Sequence, residues 1–161
     1  MGLKAWQFIS IMLSALVAGV FWGPWLGLSR SIADLSPEVF LAVGHTMIGN
    51  LAPIMPLLMP AAILSTIVSA FLLYRRRSTA LYPTLAGLVL LLVALLVTLV
   101  VEVPIDRQIQ SWTMESLPAD WQQLRDRWES FHVIRTFAAL LAVALLLAGA
   151  LFPREGRSGE G

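Results

Sequence analysis

The chain has 161 residues with a formal net charge of +1; hydrophobic residues make up 58% of it and charged residues 13%. A mean hydropathy of +0.78 places it among integral membrane proteins, and with no basic stripe to neutralise phosphates a nucleic-acid partner is excluded. Cysteine is absent, which rules out disulfides, thiolate metal sites and cysteine nucleophiles.

Crossing a bilayer core takes about 20 mostly apolar residues. Four stretches reach that length, with spans expected at about 5–28, 39–74, 79–101 and 132–152. The first ends in Phe21, Trp22, Gly23, Pro24 and Trp25, whose aromatics read as interfacial anchors, a substrate-lining role for Trp22 or Trp25 being the sharper alternative. Its apolar run is longer than that of a signal peptide and lacks a small-x-small cleavage site, so it is expected to be retained. Ser36, Pro37 and Glu38 then read as a helix start, with a capping serine, a first-turn proline and an acid at the positive dipole end. The second span meets Pro53, Pro56 and Pro60, which predict a bend in its outer half near His45 and Asn50. Such a bend opens space between helices, although simple helix contact explains it equally well.

The third span is nearly pure Leu, Val and Ala over 85–101, and then meets Glu102, Pro104 and Asp106. Pro118, Ala119 and Asp120 punctuate the following loop, with Asp120 placed to cap a helix that starts at Trp121. On that helix Trp121, Trp128, His132 and Arg135 fall on one face, with Arg125 close to it. Residues 154–161, rich in Gly and charge, form a disordered polar tail behind a single domain of 1–153. Backbone groups in a bilayer must be satisfied within their own segment, so the spans are helices. The expected fold is therefore all-α: an integral membrane four-helix bundle of up-down topology, with a partly helical outer loop between spans 3 and 4.

Lys4, Arg75, Arg76, Arg77, Arg154 and Arg157 fall on one side of the membrane, with only Glu155 and Glu160 as acids. Arg30, Arg107, Arg125, Arg127 and Arg135 fall on the other, among the remaining acids. The concentrated arginine triplet decides the orientation: both termini cytoplasmic in a plasma (inner) membrane, and the stretch 102–135 outside.

That stretch holds most of the chain's chemistry. Glu102 and Asp106 stand four apart and share a face if helical geometry survives Pro104; two such carboxylates call for a counter-cation, a metal or a shared proton. Arg135 or His132 on the antiparallel neighbour could supply the partner, and the plain reading is an interhelical lock between spans 3 and 4. His45, Glu102, Asp106 and His132 are the candidates for a bound transition metal, since facing helices hold such ions with imidazole and carboxylate. The Glu-x-x-His pattern of di-iron bundles is absent, and a lone His45 beside Gly44 and Gly49 is more commonly a helix contact. Acid–base chemistry without a metal is the alternative: His132 as base, oriented by Glu102, with Arg135 stabilising the anion formed. Trp112, Trp121 and Trp128 would then stack on a flat substrate, against their plainer role as an interfacial belt.

The order of these features resembles the anthrone-oxygenase-like family of small four-span membrane proteins. The resemblance rests on Gly19 and Gly23 at the end of the first span, the E-V-P-I-D stretch from Glu102, the outer-loop tryptophans, and R-x-R-W-x-x-x-H-x-x-R running from Arg125 to Arg135. It implies a four-helix membrane bundle and, in some members, oxygenation of a polyphenolic anthrone to a quinone by molecular oxygen without a familiar bound cofactor. The family's polar motif falls on Glu102, Pro104, Asp106, Trp128, His132 and Arg135, with the departure that the commoner form carries asparagine where Glu102 and Asp106 stand.

The expected function is thus a membrane-embedded oxidoreductase of oxygenase type acting on a small lipophilic substrate, phenols included. His132, Glu102 and Arg135 are the catalytic candidates, and Trp128, Trp112, Asp106, His45 and Asn50 the substrate-binding ones. The competing reading is a non-enzymatic membrane protein whose polar cluster locks helices or contacts a partner. A small-molecule permease is a third, disfavoured because four spans show no clear polar path.

Overall fold

The computed structural model describes residues 2–152, apart from the side chain of Arg30; the tail expected at 154–161 lies outside the described residues. Helix α1 covers Leu3–Gly27, with Pro24 in its last turn. A short 3-10 turn over Ser29–Asp34 leads into α2, Pro37–Leu51. Ser36 sits at the cap position, but its hydroxyl makes no cap bond. It faces Glu38 instead, whose carboxyl is held below its ordinary value by its own backbone amide and then by Ser36.

The second predicted span is divided. Helix α2 stops at Leu51 and α3 runs from Met55 to Arg75, so the expected bend is a full break at residues 52–54. Pro53 and Pro56 explain it: neither has an N–H to give, and the ring of each collides with the carbonyl four residues back in a regular helix. Only α3 is long and apolar enough to cross a membrane; α2 turns aside and stands against α5.

Span 3 is one rod over Leu81–Ser111 with a local change of winding. Helix α4, Leu81–Val97, passes through a π turn at Thr98–Glu102 into α5, Val103–Ser111. In the π turn the Val103 N–H reaches back five residues to the Thr98 carbonyl. The cause is Pro104, which gives no hydrogen bond to the Val100 carbonyl and would strike it in tighter winding. Helix α6 spans Trp121–Leu151; Asp120 precedes it, yet its side chain makes no cap bond and its carbonyl takes the Gln123 N–H.

Among the described residues four helical stretches can cross a membrane, and each packs against its neighbours in sequence, α6 closing the ring onto α1. This is the up-down bundle. Its centre is built around Phe21 from small and medium apolar side chains: Val17, Ala18, Met59, Ala62, Leu91, Ala94, Ala139 and Ala142. Small residues let helices approach closely where lipid supplies no hydrophobic drive. At Gly87 an added Cβ would lie 3.1 Å from the Ala142 carbonyl oxygen, and at Gly149 it would lie 3.1 Å from Pro83 Cγ. Leu57, Leu64, Val89 and Leu96 are exposed on the outer faces, where acyl chains would meet them. A second apolar cluster, with Ile32, Phe40, Ile105, Ile109, Trp112, Trp121 and Trp128, joins the 3-10 turn, α2, α5 and the first turns of α6. The site lies between the two clusters.

Candidate functional site

The face of α6 read from the sequence is buried as a unit: Trp121, Arg125, Trp128, His132 and Arg135 all point inward. Arg125 is occupied structurally. It pairs with Asp126 at 2.8 Å and its guanidinium lies 5.2 Å from the Trp121 ring centre.

Arg135 is the hub. Its Nη2 lies 2.8 Å from Glu102 Oε2, which ties α6 to the π turn. Nε and Nη2 both donate to His132 Nδ1, at 3.2 and 2.8 Å, and Nη1 donates to Thr98 Oγ1 at 3.4 Å. The guanidinium carbon stands 4.6 Å over the Phe21 ring. Glu102 is 0% exposed, and neither of its oxygens receives a well-directed hydrogen bond, so the contact with Arg135 is an ion pair and little else. A charge pair held this way in hydrocarbon is costly to dismantle, because removing one partner strands the other.

The tautomer of His132 follows from its partners. A guanidinium can only donate, so Nδ1 is an acceptor. The Phe21 carbonyl, 3.0 Å from Nε2, can only accept, so Nε2 carries the proton. The ring is therefore neutral and fixed at both ends. Trp128 stacks on it with centroids 5.4 Å apart, and Trp128 Nε1 donates to Asp106 Oδ1 at 3.0 Å. The expectation that Glu102 orients His132 gives way to a different arrangement: Glu102 meets Arg135, and the Phe21 main chain holds the imidazole.

Asp106, Trp128, His132 and Arg135 line one end of a cavity of about 810 Å³. Most of the remaining lining is apolar, with Phe21, Met47, Met55, Met59 and Leu95 among its residues, and Thr98, Arg107 and Gln110 add polar groups. Residues on both sides of the α2–α3 break line it, and α2 packs against α5. Glu102 stands behind Arg135 and does not reach the wall, whereas Asp106 does, and both carboxylates feel the charge of Arg135.

Three sequence candidates lie elsewhere. His45 Nε2 donates to the Ile109 carbonyl at 2.8 Å, and Gln110 Nε2 returns a bond to the His45 carbonyl at 3.1 Å. These bonds make His45 a clasp between α2 and α5. Asn50 is exposed and off the cavity wall. Trp112 is buried in the second apolar cluster. Among the described residues no three His, Cys, Asp or Glu side chains converge as a metal-holding set, so His45, Glu102, Asp106 and His132 do not form the joint ligand group they could have made. Sequence reasoning missed Thr98 and the Phe21 carbonyl. Thr98 carries a weak signal as a hydroxyl in a leucine-rich span, whereas a main-chain oxygen carries none.

The sequence profile of a family described as anthrone oxygenase matches residues 45–145, more than half of the chain. No curated protein and no solved structure matches it.

Proposed function

This chain belongs to the anthrone oxygenase family, and from that premise we propose a membrane-embedded oxidoreductase of oxygenase type acting on a small lipophilic, phenol-bearing ketone. The observation that carries this reading is the pairing of an apolar cavity with an arginine and a neutral histidine at one end of it. A substrate with an activated methylene group opposite its carbonyl would set the carbonyl oxygen against Arg135. As the guanidinium turns toward that oxygen it leaves His132 Nδ1, which then accepts the methylene proton. Nε2 keeps its own proton on the Phe21 carbonyl, so the base is unmasked only when the anion stabiliser is engaged. Dioxygen then oxidises the enolate. One oxygen atom becomes the new carbonyl, and the other leaves as water with the two methylene hydrogens. The overall exchange balances with dioxygen alone. Asp106, already holding Trp128, would accept a hydrogen bond from a phenolic hydroxyl.

The test is dioxygen uptake and quinone absorbance when protein in lipid nanodiscs receives a dihydroxyanthrone, against empty nanodiscs as the background. Turnover above background, abolished in His132→Phe, supports the reading; uptake equal to that of empty nanodiscs overturns it.

The Glu102–Arg135 pair favours a second reading, in which the cluster is a lock between spans 3 and 4 and the protein performs no chemistry. A variant that replaces the pair with apolar residues separates the two, as argued below.

A further inference from the structure

We infer that the cavity is loaded from within the bilayer, through a slit between the α2–α3 break and the π turn of span 3, by a hydroxylated polycycle dissolved in the lipid. The inference rests on the cavity being the substrate site. Its rim changes character along its length. Ala52, Pro56 and Pro60 form one edge and Leu99 the other, all exposed, with Leu99 at 57%. None of these side chains offers a polar atom, so this part of the rim suits acyl chains and repels water. Farther along span 3 the exposed rim residues are Arg107 and Gln110, as fits a headgroup region.

The break supplies the mouth. At Ala52–Ile54 the regular ladder lapses: the Ala52 N–H still reaches the Ile48 carbonyl, the Ile54 N–H reaches Leu51 only three residues back, and Pro53, Pro56 and Pro60 bring no amide donor. Irregular backbone at membrane depth is tolerated where it borders protein or a cavity, which is its position here. The occupant follows from charge and volume. Arg135 and Asp106 on its wall ask for one oxygen that can carry negative charge and one hydroxyl that can donate. At about 810 Å³ the space is in the upper part of the roughly 300–1,000 Å³ usual for small-molecule sites, and a fused-ring ligand fits within it. Such a molecule partitions strongly into lipid, so its working concentration is in the bilayer and the slit faces that supply.

A gate differs from a binding contact in its kinetics. Narrowing a gate slows arrival and departure equally and leaves equilibrium occupancy unchanged. Protein in nanodiscs would be mixed with a fluorescent dihydroxyanthraquinone, and association and release followed by stopped flow. Leu99→Trp and Ala52→Trp, on opposite edges, are each expected to slow both rates by roughly tenfold with occupancy unaltered. Arg107→Trp, at the polar part of the rim, is expected to leave both rates as they are. Thermal unfolding identifies a variant that fails to fold, and the other edge then carries the test. If Arg107→Trp is the slow variant, loading comes from water and the slit is overturned. If Leu99→Trp weakens equilibrium binding while release quickens, Leu99 is a wall contact and the gate is likewise overturned. If the unmodified protein binds no probe, the substrate-cavity reading itself falls and takes this inference with it.

Discussion

At the scale of single residues, Arg135 joins the two functions its neighbourhood could serve. It neutralises a fully buried carboxylate and also presents a cation to the cavity. These roles separate under substitution. Arg135→Gln strands Glu102 in hydrocarbon and should cost about 3–5 kcal/mol in thermal unfolding, along with about 10²–10³-fold in turnover. Replacing the pair together, Glu102→Leu with Arg135→Met, removes both charges and should recover most of the stability while turnover stays lost. Should the double variant turn over normally, Arg135 has no part in the chemistry and the helix lock is its whole role. The sequence disclosed which side chains gather, because Trp128, His132 and Arg135 recur on one helical face. It could not disclose who pairs with whom. Glu102 meets Arg135 while Asp106 meets Trp128, a division set by the winding of span 3 and by nothing in the spacing.

Among the elements, prolines decide the architecture more than the apolar runs do. Pro53 and Pro56 turn a long predicted span into α2 and α3, and Pro104 forces the π turn that aims Glu102 at Arg135. Each proline was visible in the sequence, but whether a proline kinks, breaks or rewinds a helix depends on what its neighbours can pack against. That information is tertiary. Pro104→Ala restores an amide to the helix and should let residues 98–102 wind regularly, rotating Glu102 away from Arg135. The expected result is unchanged helix content by circular dichroism with a shifted Arg135 Nε–H resonance by NMR. An unmoved resonance would mean that the π turn has another cause. The clasp of His45 on Ile109 tells a related story: the glycine beside it hinted at close helix contact, and at Gly44 a Cβ would press on Ile109 Cγ2 at 3.1 Å.

For the whole molecule, the four-span ring was the most legible property, because long apolar stretches bounded by charge leave few alternatives. Orientation is a separate question that the fold does not answer. We propose that the arginines at 75, 76 and 77 lie in the cytoplasm, on the strength of the positive-inside rule. The absence of cysteine makes the check clean: a single cysteine placed at Arg76 should resist a membrane-impermeant maleimide in intact cells, and one at Glu115 should react. The opposite labelling would invert the topology and put the cavity's polar rim toward the cytosol. The matched region begins at His45, so α1 lies outside it, yet α1 provides the oxygen that holds the imidazole proton. That oxygen belongs to the peptide unit and would be there whatever residue stood at 21. A foreign hydrophobic helix of the same reach, seated at the same depth, would offer the identical handle but forfeit the ring beneath the guanidinium, the packing of Val17 and Ala18, and the stretch of cavity wall from Val20 to Pro24. The proton's anchor thus depends on where the first helix sits, whereas the bundle's interior depends on what that helix carries.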